Sequence, residues 1–208
     1  MDSLRDGNEV EAAVAALRVG LPVVLPTDTV YGICANAYNE ESVRRAYELK
    51  GREPLQPSAL LAGDVDMLLE CLPELRGRVG QILRALLPGP FTLVVPNPAR
   101  RYPWLTGERA DTIGVRVPEL PAPADAVVSR AGLVMATSAN LPGGPDPARP
   151  EDVPDKILEG CGAVIDAGEL PGVASTVIDL TGDEPRVLRE GAVSEAEALE
   201  RVTGLVAE

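Results

Sequence analysis

Histidine is absent from the 208 residues. That gap removes the Ser-His-Asp triad, the His-paired cysteine nucleophile and the common zinc sites. Chemistry must come from Lys, Arg, carboxylates, hydroxyls or backbone amides. Cysteine is sparse. Cys34, Cys71 and Cys161 lie far apart and are odd in number, so they suggest neither a disulfide framework nor a Cys-x-x-Cys clip. They read as buried, reduced thiols. No run reaches the ~20 apolar residues of a membrane-spanning helix. The N-terminal "MDSLRDGNEVEAAV" has early acids and no apolar stretch behind a basic start, unlike a secretory signal. A cytoplasmic location without membrane attachment is expected. The phosphate motifs G-x-x-x-x-G-K-S/T and G-x-G-x-x-G are missing, so any nucleotide site is of another design. Positive charge is also short, with a net charge of −13. A whole-surface footprint for nucleic acid is therefore excluded. A local group of cations is not, because salt screens charge over only ~8 Å.

What is present is enough for a core: 45% of the residues are hydrophobic. Residues 8 to 19 read as an amphipathic helix capped by Asn8, with Val10, Ala13, Val14 and Leu17 in one stripe. "PVVLP" (22–26) reads as a strand, and "PTDTVYG" leaves its end. A second helix starts at Asn39, carries Val43, Ala46, Tyr47 and Lys50 at helical spacing, and stops at Gly51. Further strands are expected at 58–62, 91–95, 113–117, 133–137, 163–166, 175–180 and 186–189. Helices are expected at 64–71, 74–87, 123–131 and 151–159. A last helix starts at Ser194, where Glu197 completes a capping box. Residues 141–150 read as a loop. Irregular alternation of strands and helices, with no repeat and no linker, points to one α/β domain over 1–208 with a mixed sheet.

Several polar groups fall at or beyond strand ends, where open α/β sheets bind ligands. Each has a plainer alternative. Thr27 and Thr29 suit turn chemistry. Lys50 and Arg52 complement a helix C-terminus. Yet the chain has only two lysines, Lys50 and Lys156, against seventeen arginines. A lysine at position 50 suggests a compact point charge for phosphate. Arg116 in "IGVRV" suits the solvent face of an alternating strand or an anion. "TSAN" (137–140) can cap a turn or hold phosphate oxygens. Arg189 suits a surface or a site.

Taken in order, "PTDTVYG", "KGR", "VRVP", "TSAN", "STVID" and "LREGA" resemble the YrdC-like threonylcarbamoyl-AMP synthase family from about residue 10 to 195. The resemblance implies a twisted open mixed sheet with flanking helices and a large concave, positively lined cleft. It implies that L-threonine, bicarbonate and ATP give threonylcarbamoyl-adenylate and pyrophosphate, a nucleotidyltransferase reaction, with Mg2+ carried on the ATP phosphates. The product would feed t6A modification of tRNA through a separate transferase complex, with a weak direct tRNA contact. By family pattern Lys50 and Arg52 are catalytic and face the ATP phosphates. Thr29, Arg116 and Ser175 hold threonine. Gln56, Thr112, Ser138, Asn140 and Arg189 complete the ATP site.

Three departures stand out. Leu61 replaces a common histidine, Pro142 replaces a common serine, and the chain ends near Glu208, as in the short form without an extra C-terminal domain. The alternatives are a paralogue acting on another carbamoyl or adenylation substrate, and a binding module for tRNA or double-stranded RNA. The expectation for Lys50 and Arg52 is a solvated cleft, so that alanine at either position leaves the fold intact.

Overall fold

Strand alternation gives the sheet its two sides. In the computed structural model, which describes residues 2–53 and 55–206, the strand Phe91–Pro96 buries every second residue and leaves Thr92, Val94 and Pro96 half-buried. That pattern belongs to a strand with one packed and one partly open face. Nine such segments among the described residues form one sheet. They are β1 Val23–Pro26, β2 Tyr31–Asn36, β3 Ala59–Leu61, β4 Phe91–Pro96, β5 Thr112–Arg116, β6 Val134–Ser138, β7 Ala163–Val164, β8 Thr176–Asp179 and β9 Arg186–Arg189. Their order is β7-β1-β2-β6-β3-β5-β4-β8-β9. The β1–β7, β3–β5 and β4–β8 pairs are parallel and the other pairs antiparallel, so the sheet is open and mixed.

Helices α2 (Glu40–Lys50), α3 (Val65–Cys71), α4 (Arg78–Leu86) and α7 (Glu195–Val206) cover one face. Val43, Leu68, Leu83 and Val202 pack there with Ile33, Leu60, Leu93, Val115 and Met135. Burying each such side chain stabilises by about 1.5–3 kcal/mol relative to exposure. The opposite face is only partly covered. Helices α1 (Asp2–Arg18) and α5 (Ala122–Ala131) lay Val14, Leu17, Val127 and Val128 over Val23, Leu25, Cys34, Leu61 and Val134. Beyond them, the inner surface of β5, β4 and β8 carries no helix among the described residues. That bare stretch is the cleft.

The expected α/β class and open mixed sheet are present. Helix α2 follows its caps: Asn39 Oδ1 accepts from the amides of Glu41 and Ser42, and Gly51 adopts φ 68° at the other end. Other expectations need correction. Helix α1 starts at Asp2, so Asn8 lies inside it. Strand β2 is absent from the sequence reading because almost all of it is buried, which erases the alternation. The single helix expected over 74–87 is a 3-10 turn at Pro73–Leu75 followed by α4, with Gly77 at φ 101° between them. The helix expected over 151–159 is likewise divided at Pro154 into Pro150–Asp152 and α6, Asp155–Gly160. Only half of the expected capping box forms. Ser194 Oγ accepts from the Glu197 amide, while the Glu197 carboxylate turns to Arg201. Of the three cysteines only Cys34 is fully buried, although all three are free thiols.

Candidate active site

The floor of the cleft is the sheet itself. Side chains with a two-residue period project into it: Thr92 and Val94 from β4, Thr112, Gly114 and Arg116 from β5, and Ala136 and Ser138 from β6. Gly32, Ala59 and Ser175 add to this floor. Small residues in the centre leave a hollow of about 600 Å³. A volume of that order suits a small organic ligand with a few convergent polar groups.

Four arginines line the cleft, and three of them, Arg52, Arg116 and Arg189, bond to its walls. Arg52 donates to the Pro57 carbonyl and, at 3.4 Å, to Thr137 Oγ1. Arg189 donates to the Ser175 carbonyl at 2.8 Å and to Ser175 Oγ at 3.3 Å. Arg116 donates through Nη2 to Asp28 Oδ1 and to Thr29 Oγ1, each at 2.5 Å. Burial pulls the pKa values of Arg52 and Arg116 down, and the positive charge of Arg189 adds to the effect on both. Arginine keeps its proton despite such shifts. The result is concentrated positive charge inside a protein of net charge −13. The Nε of Arg116 is buried and has no partner among the described residues.

Lys50 is placed differently from the other cations. Its side chain is buried, and Nζ donates to the carbonyls of Ser138 at 2.6 Å and Asn140 at 2.9 Å, and to Asn140 Oδ1 at 2.6 Å. It lies under the 138–140 loop rather than in the cleft wall. The expected solvated position for Lys50 is thus corrected: the last turn of α2 aims it at three loop oxygens. Burial and the neighbouring Arg52 push its pKa down to about 8, while Asp146 pulls the other way. At neutral pH it is still the ammonium that those oxygens require.

The other sequence candidates divide between wall and support. Thr112, Ser138 and Ser175 line the cleft. Thr29 is fully buried just behind it, bonded to Thr27 Oγ1 at 3.0 Å and to Arg116. Asn140 holds the loop together, donating to the Gly144 carbonyl at 2.7 Å. Gln56 is exposed outside the lining, and its carbonyl accepts from Arg52 at 3.4 Å. Pro142 lies near the Gly51 turn that ends α2. Leu61 is buried in the cluster with α1 and α5.

Sequence reasoning missed several residues here. Thr92 and Arg109 line the cleft, and Thr92 Oγ1 lies 2.8 Å from Ser175 Oγ. Thr92 had a usable signal, the two-residue period of β4. Asp28 had none beyond its place between two threonines.

The chain matches the Sua5/YciO/YrdC family, described as Telomere recombination, over residues 15–191. The threonylcarbamoyl-AMP synthase of Bacillus subtilis is 33% identical over 199 residues, which cover 94% of this chain and 57% of that protein. That of Stenotrophomonas maltophilia is 33% identical over 170 residues, covering 79% of this chain and 89% of that one. Among solved structures, P. abyssi Sua5 complexed with L-threonine has a TM-score of 0.76 at 32% identity, covering 94% of this chain and 57% of that chain. E. coli YciO has a TM-score of 0.74 at 27% identity, covering 91% and 92%. The chain thus spans little more than half the length of the Bacillus and Pyrococcus relatives.

Proposed function

Because the chain belongs to the Sua5/YciO/YrdC family, we propose that it is a threonylcarbamoyl-AMP synthase. It joins L-threonine, bicarbonate and ATP and releases pyrophosphate, as a nucleotidyltransferase whose product feeds t6A modification of tRNA by a separate transferase. The observation that carries this reading is the meeting of Arg52, Arg116 and Arg189 on one cleft. A guanidinium N–H bond to a carboxylate is charge-assisted and short. Arg116 has its Nη2 occupied and Nη1 left for the threonine carboxylate. Arg52 and Arg189 face the triphosphate.

The chemistry then needs positioning more than proton shuttling. The neutral threonine amine attacks the bicarbonate carbon. The C–N bond forms as a C–O bond breaks, with the displaced hydroxide and an amine proton leaving as water. The resulting carbamate oxygen attacks the α-phosphorus. Pyrophosphate leaves with the displaced electron pair. Negative charge grows on the α-phosphate and the departing group, where fixed cations stabilise it. Among the described residues no group of three His, Cys, Asp or Glu could hold a metal ion. Mg2+ would arrive on the triphosphate, whose oxygens are its ligands in such reactions.

Arg52→Ala is expected to slow turnover at least about tenfold, since one charge-assisted bond contributes ~1.5–3 kcal/mol. Its melting temperature stays close to wild type, because Arg52 is only half-buried and its partners are uncharged. The assay is pyrophosphate release that requires both threonine and bicarbonate. Release with neither overturns the reading.

Gly114→Leu tests the location. A Cβ at this position sits 3.6 Å from Thr92 Cγ2, an ordinary contact, so the strand tolerates it. The rest of the leucine enters the cleft. Thermal stabilisation by ATP or threonine should vanish while the unliganded melting temperature holds. Undiminished stabilisation by both would place the ligands elsewhere.

The paralogue reading rests on Leu61, whose buried aliphatic chain brings no polar contact to the site. Pyrophosphate release with an amine other than threonine would favour it.

A further inference from the structure

We propose that Asp28 is a positioning residue for Arg116, holding its guanidinium so that Nη1 stays open to the substrate carboxylate. The inference rests on the threonine-binding reading of the cleft. Thr27 and Val30 line the hollow but Asp28 does not. Its carboxylate approaches Arg116 from behind the wall. Oδ1 accepts from Nη2 at 2.5 Å, and both side chains are only 10% exposed. Oδ2 accepts from the Glu119 amide at 3.3 Å. Asp28 therefore ties the β1–β2 turn to the segment after β5, with Arg116 between them.

The geometry selects what remains free. Asp28 and Thr29 both use Nη2. Nη1 has no bond among the described residues, and Nε is buried and unpartnered. A guanidinium has a fixed planar fork, so holding Nη2 at two points fixes where the other donors aim. Holding the guanidinium in place before substrate arrives spares the loss of side-chain freedom on binding. Asp28 touches neither substrate nor reacting atoms, and acts through Arg116.

The test is calorimetric binding of L-threonine and of ATP to the wild type, Asp28→Ala and Asp28→Asn. Asparagine keeps an oxygen for Nη2 but loses the charge and presents a donor to the Glu119 amide. Asp28→Ala should weaken threonine binding at least tenfold, and Asp28→Asn less than Asp28→Ala. ATP affinity should stay within twofold in both. If Asp28→Ala does not fold, Asp28→Asn alone decides, with an expected threonine loss of at least twofold. Unchanged threonine affinity in a folded variant, accompanied only by a lower melting temperature, makes Asp28 purely structural and overturns the proposal. Tighter threonine binding also overturns it, since Asp28 would then be a competing negative charge. Should the wild type itself fail to bind threonine, the functional reading fails and this proposal falls with it, an outcome distinct from a variant that binds threonine unchanged.

Discussion

Lys50→Met should lower stability by about 3 kcal/mol, the upper range for a charge-assisted bond and its orphaned partners. For a chain of this size that is a fall of roughly 6–12 °C in melting temperature. Methionine matches the length of lysine but donates nothing. The carbonyls of Ser138 and Asn140 and the Asn140 side-chain oxygen lose their shared donor. Turnover should fall by more than tenfold, because Ser138 lines the cleft and its loop is held by that ammonium. Lys50→Arg should not restore it. A planar fork cannot place donors on three oxygens converging on one point. Thermal melting and steady-state turnover check both effects. A variant that melts with the wild type would return Lys50 to the solvated cleft.

The scarcity of lysine is a sound clue to the kind of charge at position 50. It indicated a compact point charge, which is what the loop uses. It could not show whether the oxygens around it belong to phosphate or to backbone. That distinction depends on where the last residue of α2 meets the end of β6, a bond between residues 88 positions apart. Helix α2 was legible end to end because Asn39 and Gly51 are local signals. The covered and bare faces of β4 and β5 were legible where alternation survived. Strand β2 was not, since burial on both sides removes the polar half of the pattern. The gathering of Arg52, Arg116 and Arg189 entered through the family motifs. Their spacing alone cannot bring residues from α2's end, β5 and β9 to one hollow. Asp28 stayed hidden for the same reason: its partner Arg116 is 88 positions away.

Arg116→Met should have the larger effect on stability. It strands the Asp28 carboxylate, which is 10% exposed, beside a hydrophobic side chain. Removing one member of a buried pair destabilises by about 3–5 kcal/mol, mostly because the remaining charge has no partner. The fall in melting temperature is then roughly 6–20 °C. Threonine binding should vanish in the same variant. The two losses separate in Asp28→Asn/Arg116→Met. No buried charge remains there, and neutral packing of similar volume often equals or exceeds a buried ion pair in stability. The double variant should therefore regain most of the lost melting temperature and none of the threonine binding. Its stability should exceed that expected from adding the two single changes, the signature of direct coupling. Additive losses would mean that water screens the Asp28–Arg116 pair, and the guanidinium would then be free to turn. Recovered threonine binding without Arg116 would remove that residue from the site altogether.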